Sequence, residues 1–442
     1  MLVSFSVENF KSFSKKETLY MAPATKIKKE NLPNNIFETN NSSCEDLLKI
    51  ACIYGANASG KTKFIEALHS FLFFFKADKQ EQDDDFDIIY TPFQFKNEYF
   101  GKPITFEIEF IVNNILYLYS ISYNKESILR EELNKIIENK KEVIYLIEKD
   151  KLDKAEFSKE FGESYKETIL KIKKQKYNNT FLRLFDNDSS SKLLTDIFSF
   201  FKSKINVILC SEINDQRTFF GKTIRKYKDS KVDRNLIKNI LKSACNSVEE
   251  IAINEIEIND TEIPEKLKDF FKKQKNLRRI EIKFKHKNGE LDIEEESSGT
   301  KIMFGLSGRL VELFQNGGVL FIDELDKSLH PDILIYLIKL FQDKDINSKN
   351  AQLIFTTHND IALDQFYDIK TGKKVPLLRR DQVYFINKDR NESSHFYSAV
   401  DYTGIQSRDS LVKLYRNGFF AARPGNISES YDFLREMMKN GK

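Results

Sequence analysis

The sequence GANASGKT at residues 55–62 has the composition and spacing of a phosphate-binding loop. It follows the apolar run KIACIY and precedes KFIEALHSFLFFF, so we predict a buried strand, a loop and a helix in that order. Backbone N–H groups of such a loop can surround phosphate oxygens, and the helix N-terminus adds positive potential. Lys61 is expected to contact the β- and γ-phosphates, and Thr62 to coordinate Mg²⁺. The residues predicted to bind the nucleotide here are Gly55, Asn57, Ala58, Ser59, Gly60, Lys61 and Thr62.

A second motif, VLFIDE at residues 319–324, places two carboxylates directly after four apolar residues. Ligands of open α/β sheets bind at the carboxyl ends of the strands, where these two side chains would emerge. Asp323 suits the Mg²⁺ shell, and Glu324 suits a general base that polarises the attacking water. Such a pair alone could be an ordinary strand end, but together with the phosphate loop it indicates nucleotide hydrolysis.

The sequence TTHND at residues 356–360 follows another apolar run, QLIF. A histidine at the end of that strand could sense the γ-phosphate. A lone histidine is usually structural, but the position of His358 one strand after the carboxylate pair favours the functional interpretation.

A fourth motif, ESSGTK from residue 296, opens a predicted helix upstream of the carboxylate pair. A helix N-terminus that carries Ser297 and Gly299 is a second anion site. One chain already has a phosphate loop, so we expect this site to complete the nucleotide site of another protomer in an isologous dimer. The alternative is an ordinary helix with a serine N-cap.

The remaining pattern predicts the elements that position these motifs. Residues 2–7 alternate like an edge strand, and residues 104–110 and 115–121 are predicted strands joined by a turn at Asn113-Asn114. We expect an exposed acidic loop at 80–87.

In the later part of the chain we predict a strand at 279–284 and a helix at 299–315 that ends at Gly317-Gly318. Buried strands are predicted at 319–322 and 352–356, with a helix that starts near Pro331. This alternation indicates a doubly wound α/β core.

Composition limits the alternatives. The 442 residues contain 70 Lys and Arg against 67 Asp and Glu, and the net charge of +3 gives no overall nucleic-acid footprint. The basic runs at 171–176 and 272–279 are more simply explained as solvated helix faces. The cysteines lack metal-site spacing and are expected to be reduced thiols of a cytoplasmic protein: Cys44, Cys52, Cys210 and Cys245. The opening alternation argues against a signal peptide, and the apolar run at 71–75 is too short to span a bilayer.

The order of these motifs resembles the ABC-type ATPase heads of the SMC, RecF and OLD group. More closely, the chain resembles the stand-alone bacterial ATPases of the AAA-15 and AAA-21 families. The matching stretches are FSVENFKSF, GANASGKT, ESSGTK, GGVLFIDELDKSLHP, NAQLIFTTHND, LRRDQVYFINKD and YRNGFFAARP. The resemblance implies an ATPase head with a doubly wound sheet and an antiparallel β lobe, using ATP and Mg²⁺. It divides the chain into N-terminal (1–124) and C-terminal (281–442) head segments around a mostly helical insertion (125–280).

Several members of these families resemble ATPase subunits of two-gene anti-phage, abortive-infection systems of the PARIS and Rlo types. The resemblance therefore implies a sensor or scaffold that dimerises and controls an effector from a neighbouring gene, such as a Toprim-like nuclease. The segment after Thr357 lacks the acidic strand ends of a fused Toprim nuclease, so a nuclease would act in trans.

Other departures from the pattern leave alternatives open. The signature is Ser297-Ser298-Gly299 and not LSGGQ, which disfavours a transporter. Gln94 is the candidate for the glutamine of the loop between the two lobes. A RecF-like ATPase that clamps DNA and a nucleotide-locked scaffold without relevant turnover both remain open, and so does nucleic acid as a partner.

Overall fold

A computed structural model describes the chain over residues 1–25, 27, 33–77, 88–149, 156–158, 179–186, 191–214, 216–257, 278–368, 372–405, 409–423 and 427–440. These residues form two compact units. The first comprises residues 1–210, 317–325 and 335–442, and the second comprises residues 211–316 and 326–334.

The strands, in chain order, are β1 (Leu2–Glu8), β2 (Glu17–Tyr20), β3 (Ile36–Glu38), β4 (Asp46–Leu48), β5 (Ile50–Gly55), β6 (Ile104–Val112), β7 (Ile115–Tyr123), β8 (Ile128–Ile137), β9 (Lys140–Glu148), β10 (Glu156–Phe157), β11 (Ile205–Ile208), β12 (Val248–Glu257), β13 (Arg278–His286), β14 (Gly289–Asp292), β15 (Val319–Ile322), β16 (Gln352–Thr356), β17 (Gln365–Asp368), β18 (Lys373–Pro376), β19 (Val383–Lys388) and β20 (Ser394–Ser398). The helices are α1 (Lys61–Lys76), α2 (Lys192–Ser199), α3 (Cys210–Asn214), α4 (Gln216–Asp229), α5 (Lys231–Lys242), α6 (Ser298–Asn316), α7 (Pro331–Gln342), α8 (Leu411–Arg416) and α9 (Ile427–Asn440).

A six-stranded sheet carries the predicted chemistry, in the order β11-β15-β16-β5-β19-β20 over the described residues. All neighbours are parallel except β19 and β20. The strands predicted at 49–54, 319–322 and 352–356 are confirmed as β5, β15 and β16, and every residue in them is buried. Because β16 lies between β15 and β5, the carboxyl ends of all three strands meet at one edge of the sheet.

A seven-stranded antiparallel sheet, in the order β10-β9-β8-β7-β6-β1-β2, forms the other layer of the first unit over the described residues. The hairpin predicted from residues 104 to 121 is confirmed as β6 and β7. Asn113 and Asn114 both adopt positive φ, at 50° and 62°, as the turn of a two-residue hairpin requires.

The prediction that residues 2–7 form an edge strand is wrong. Strand β1 pairs with β2 on one side and β6 on the other, and residues 2–7 are all buried. Its polar positions are small serines with neighbouring partners: Ser4 donates to Glu109 at 2.9 Å, and the Ser6 and Thr18 hydroxyls are 2.9 Å apart. Small hydrogen-bonded side chains allow both faces to be covered, although the alternation alone suggests one exposed face.

The described residues within 125–280 contain more strand than the predicted, mostly helical insertion. Strands β8 to β10 extend the antiparallel sheet, β11 completes the parallel sheet, and β12 pairs with β13 in the second unit. The compact units therefore do not follow the predicted boundaries after residues 124 and 280. Charged residues such as those of β8 favour a helical prediction, because the sequence does not show which carboxylates have buried partners in a sheet. The acidic loop at 80–87 and the basic run at 171–176 lie outside the described residues, as does most of 272–279.

A buried amide is one of the contacts that join the two large sheets of the first unit. Gln352, at the start of β16, accepts a hydrogen bond from the Leu2 N–H at 2.7 Å and donates to the Leu2 and Leu48 carbonyls at 3.0 and 3.2 Å. The Gln352 side chain therefore satisfies backbone groups of β1 and β4. This contact fixes the parallel sheet against the antiparallel one.

A buried carboxylate organises the far side of the antiparallel sheet. Glu131, on β8, is fully buried and accepts hydrogen bonds from the Tyr119 and Tyr145 hydroxyls at 3.0 and 2.8 Å. The backbone N–H groups of Phe181 and Leu182 also donate to it, at 2.7 and 3.4 Å. By accepting these hydrogen bonds, the Glu131 side chain connects β7, β8, β9 and the segment at Phe181.

We expect Glu131→Gln to lower the free energy of unfolding by about 1–3 kcal/mol, because the amide nitrogen would face donors inside the core. Glu132→Gln is the matched control on the opposite face of β8, where Glu132 forms a half-exposed ion pair with Arg130. Its loss should cost about 0–1 kcal/mol. Urea unfolding measures both variants, and equal stabilities would contradict the role of Glu131.

Candidate active site

The phosphate loop connects β5 to α1, as predicted. Gly60 precedes the helix with φ of 114°, and a Cβ there would lie 2.5 Å from the Ser394 Oγ and 2.8 Å from the Ser12 Oγ. A Cβ at Gly55 would lie 2.7 Å from the Ile386 carbonyl oxygen. Both glycines are therefore required by close neighbours from other segments, as well as by the turn itself.

Lys61 lies inside the curve of this loop. Its side chain is buried, and Nζ donates to the carbonyl oxygens of Gly55 and Ala56 at 2.8 and 3.0 Å. These contacts place the ammonium group where the backbone N–H groups of the loop and α1 converge. The arrangement is suited to polyvalent anions, as the spacing predicts.

Asp323 lies directly after β15 and is almost fully buried. Its Oδ1 accepts a hydrogen bond from the Thr356 hydroxyl at 2.7 Å, whereas its Oδ2 is buried and has no hydrogen-bond partner among the described residues. Burial raises the pKa of this carboxyl group, and the Thr356 and Thr62 hydroxyls act in the opposite direction. A buried, unpartnered carboxylate oxygen near a threonine hydroxyl is a donor set that fits Mg²⁺.

Glu324 follows with an unusual backbone. Its φ is 52°, and its N–H donates to the Thr356 hydroxyl oxygen at 2.7 Å. The Cys210 thiol, beyond the end of β11, donates to Glu324 Oε2 at 3.3 Å. Positive φ in a non-glycine residue persists only where surrounding contacts impose it. Here these contacts point the Asp323 and Glu324 carboxylates in different directions.

A cavity of about 770 Å³ surrounds the loop in the first unit. Its lining includes residues 57–63 together with Glu324 and the exposed side chain of His358. Gln94 also lines it, and its role as the glutamine of the loop between the two lobes stays a prediction. The structure thus brings the predicted loop, base and histidine around one space, with Asp323 buried next to it.

Sequence reasoning missed several residues of this site. Thr356 contacts the Asp323 carboxylate and the Glu324 backbone N–H, and four further residues come from other segments: Cys210, Lys11, Phe95 and Lys388. The sequence marks Thr356 only by its position at the end of an apolar strand, two residues before His358. Nothing in the sequence indicates that the other four residues meet here.

Ser297 and Gly299 belong to the second compact unit. Ser297 Oγ accepts a hydrogen bond from the Thr300 N–H at 3.1 Å, as an N-cap of α6 does. A Cβ at Gly299 would lie 2.9 Å from the Ser328 carbonyl oxygen. Their role in a site shared between protomers stays a prediction.

Two further expectations concern metals and thiols. Within the described ranges, no group of three or more His, Cys, Asp or Glu side chains could hold a metal ion. Mg²⁺ in nucleotide sites needs no such cluster, because substrate phosphates and waters supply most ligands. All four cysteines are free thiols, as predicted. The described helices include none long and apolar enough to cross a membrane.

A phosphate loop after one parallel strand and a carboxylate pair two strands away in the same sheet, in a unit that also contains an antiparallel sheet, define an ATPase head of the ABC type. The family model described as "AAA domain, putative AbiEii toxin, Type IV TA system" matches residues 50–364. The chain therefore belongs to this family, AAA_21. No characterised protein matches the chain by sequence.

Solved structures similar to the chain include SMC head domains. An SmcHead bound to the C-winged helix domain of ScpA shares 14% identity, with 94% of this chain and 99% of that chain covered and a TM-score of 0.40. The SMC head domain from Thermotoga maritima shares 13% identity over 90% and 98% of the chains, with a TM-score of 0.38. An Smc head derived from Pyrococcus furiosus shares 13% over 94% and 98%, also with a TM-score of 0.38. Similarity at this level carries no information on activity or partners.

We expect Thr356→Val to lower kcat/KM for ATP hydrolysis by about 10- to 100-fold, because one hydrogen bond to a charged group is worth about 1.5–3 kcal/mol. The substitution keeps the shape but removes the hydroxyl that contacts Asp323 and Glu324. Thr356→Ser is the matched control and should restore most of the rate. Steady-state kinetics decide the matter, and equal rates for the valine and serine variants would show that the hydroxyl is dispensable.

Proposed function

We propose that the chain binds ATP with Mg²⁺, hydrolyses it slowly, and acts as the dimerising sensor or scaffold of a bacterial anti-phage defence complex. The observation that carries the ATPase part is the convergence of Lys61, Thr62, Asp323 and Glu324 at one edge of the parallel sheet. The family supports this class of activity.

Charge supports a polyanionic ligand. The cavity lining contains four lysines, Lys11, Lys61, Lys63 and Lys388, against the single carboxylate of Glu324. Lys11 and Lys63 both contact Glu66 on the outer side of α1, at 2.6 and 3.0 Å, and this carboxylate fixes their position. A triphosphate with its metal matches this excess of positive charge.

In the hydrolytic reaction, Asp323 Oδ2 and the Thr62 hydroxyl would hold Mg²⁺, which neutralises charge on the β- and γ-phosphates. Lys61 and the loop N–H groups bind the same phosphates. Glu324 accepts a proton from the attacking water as the water oxygen bonds to phosphorus and the bridging oxygen leaves with ADP. His358, exposed at the cavity, is suited to hydrogen-bond the γ-phosphate.

The defence role rests on the resemblance and on the family description, which names a toxin of a toxin–antitoxin system. In this proposal ATP holds two protomers together through the Ser297–Gly299 signature of each partner, in the cytoplasm. Hydrolysis or a phage trigger then releases an effector encoded by a neighbouring gene. A Toprim-like nuclease is the effector class that we favour.

We expect Glu324→Gln to retain ATP binding but to lower turnover by about 10²–10⁴-fold, because an amide cannot accept the proton of water. Lys61→Ala should instead lose binding itself. Glu312→Gln is the control, since Glu312 forms a half-exposed ion pair with Lys222 in the second unit. Calorimetry measures ATP binding, and phosphate release measures turnover, so the two effects can be separated. Full turnover by Glu324→Gln would assign the base to another residue.

The shared-site hypothesis is tested by mixing two inactive variants. Lys61→Ala disables the loop, and Ser297→Arg blocks the signature with a bulky cation. Mixed dimers should regain activity from one composite site, at about half of the wild-type rate or less if the two sites act independently.

Ser297→Ala is the matched control, because it removes the same N-cap without added bulk or charge. It should cost about 0.5–2 kcal/mol of stability and leave most of the hydrolysis intact. Gly299 is less suitable, since any side chain there meets the Ser328 carbonyl oxygen at 2.9 Å. Wild-type hydrolysis by Ser297→Arg alone would rule out a site shared between protomers.

A further inference from the structure

The cavity at the phosphate loop contains one large apolar side chain that the triphosphate chemistry does not use. Phe95 lines this cavity, and 58% of its surface is exposed. Most of the other described phenylalanines of the first unit are buried in its core, and Phe93, two residues earlier, is fully buried. An exposed aromatic ring inside a cavity of mixed polar and apolar lining is suited to a flat, partly apolar ligand group.

The segment that carries Phe95 is fixed by several hydrogen bonds. The Lys11 N–H donates to the Thr91 carbonyl at 2.8 Å, and the Phe93 N–H donates to Asn9 Oδ1 at 3.1 Å. Asn9 in turn donates from Nδ2 to the carbonyls of Lys102 and Pro103, at 3.0 and 3.1 Å. The backbone on which the ring is mounted is thus preorganised before any ligand binds.

Two neighbours support the ring itself. The Phe93 ring centroid lies 5.7 Å from that of Phe95, and the Lys388 ammonium lies 5.3 Å from the Phe95 centroid. Lys388 is also paired with Glu392 at 3.0 Å, which restrains its position. The contacts orient the Phe95 ring and leave more than half of its surface exposed.

We propose that Phe95 is the stacking platform for the base of the bound nucleotide, with Lys388 and Phe93 as its supports. This inference rests on the proposed nucleotide-binding function and adds the recognition of the base to it. A cavity of about 770 Å³ has room for a nucleoside beyond the phosphates. Because every base presents a π face, stacking distinguishes a nucleotide from a bare polyphosphate far more than one base from another.

The test compares two ligands on purified full-length protein: Mg²⁺–ATP and Mg²⁺–tripolyphosphate, each titrated by calorimetry. Phe95→Ala should weaken ATP binding by about 5- to 150-fold and leave tripolyphosphate binding unchanged. Phe95→Tyr, which keeps the ring, should bind ATP within a few-fold of the wild type. Phe100→Ala is the matched control, because Phe100 is 52% exposed, five positions further on, and does not line the cavity.

Three results would overturn the proposal. They are unchanged ATP affinity of Phe95→Ala, an equal weakening of both ligands, and an effect confined to dimerisation at saturating ATP, which would make the ring a contact between protomers. Failure of the wild type to bind either ligand is a different outcome, because it would refute the proposed function itself and the inference with it.

Discussion

The hydroxyl group of Thr356 is the contact on which the arrangement of the site depends. It donates to Asp323 Oδ1 and accepts from the Glu324 N–H, both at 2.7 Å, across the junction of two parallel strands. The carboxylates follow β15 and the phosphate loop follows β5, and β16 lies between these strands. A residue of β16 therefore has to fix the carboxylates relative to the loop. One threonine thereby fixes the proposed metal ligand Asp323 and the proposed base Glu324, whose carboxylates point in different directions.

This arrangement is costly for the fold. Asp323 has a buried oxygen that finds no hydrogen-bond partner in the described part of the chain, and Glu324 has a positive φ, so both residues oppose stability. Such features persist when the surrounding structure is rigid. The rigidity comes from the fully buried parallel strands and from Gln352, whose amide joins the two sheets. The stability of the first unit therefore supports a site that is itself strained.

The cavity combines two kinds of recognition that come from different layers. The loop and the carboxylates belong to the parallel sheet and act on phosphates, whereas Phe95 and Lys11 are placed by contacts at the end of β1. Asn9, with φ of 54°, links these segments through its side chain. A nucleotide held at both ends would report on the relative position of the two layers, which is a physical basis for the sensor role proposed above.

The sequence by itself determined the local elements of the site. The loop at 55–62, the strands β15 and β16, and the roles expected for Lys61, Thr62, Asp323 and Glu324 follow from short motifs, since each lies within one strand, turn or helix start. Tertiary structure decided the rest, because the deciding contacts join residues far apart in the chain. The burial of β1 depends on serines whose partners lie on other strands, and the sheet strands within 125–280 depend on buried partners such as those of Glu131. Phe95 reaches the cavity, and Cys210 reaches Glu324, through packing that no local pattern encodes.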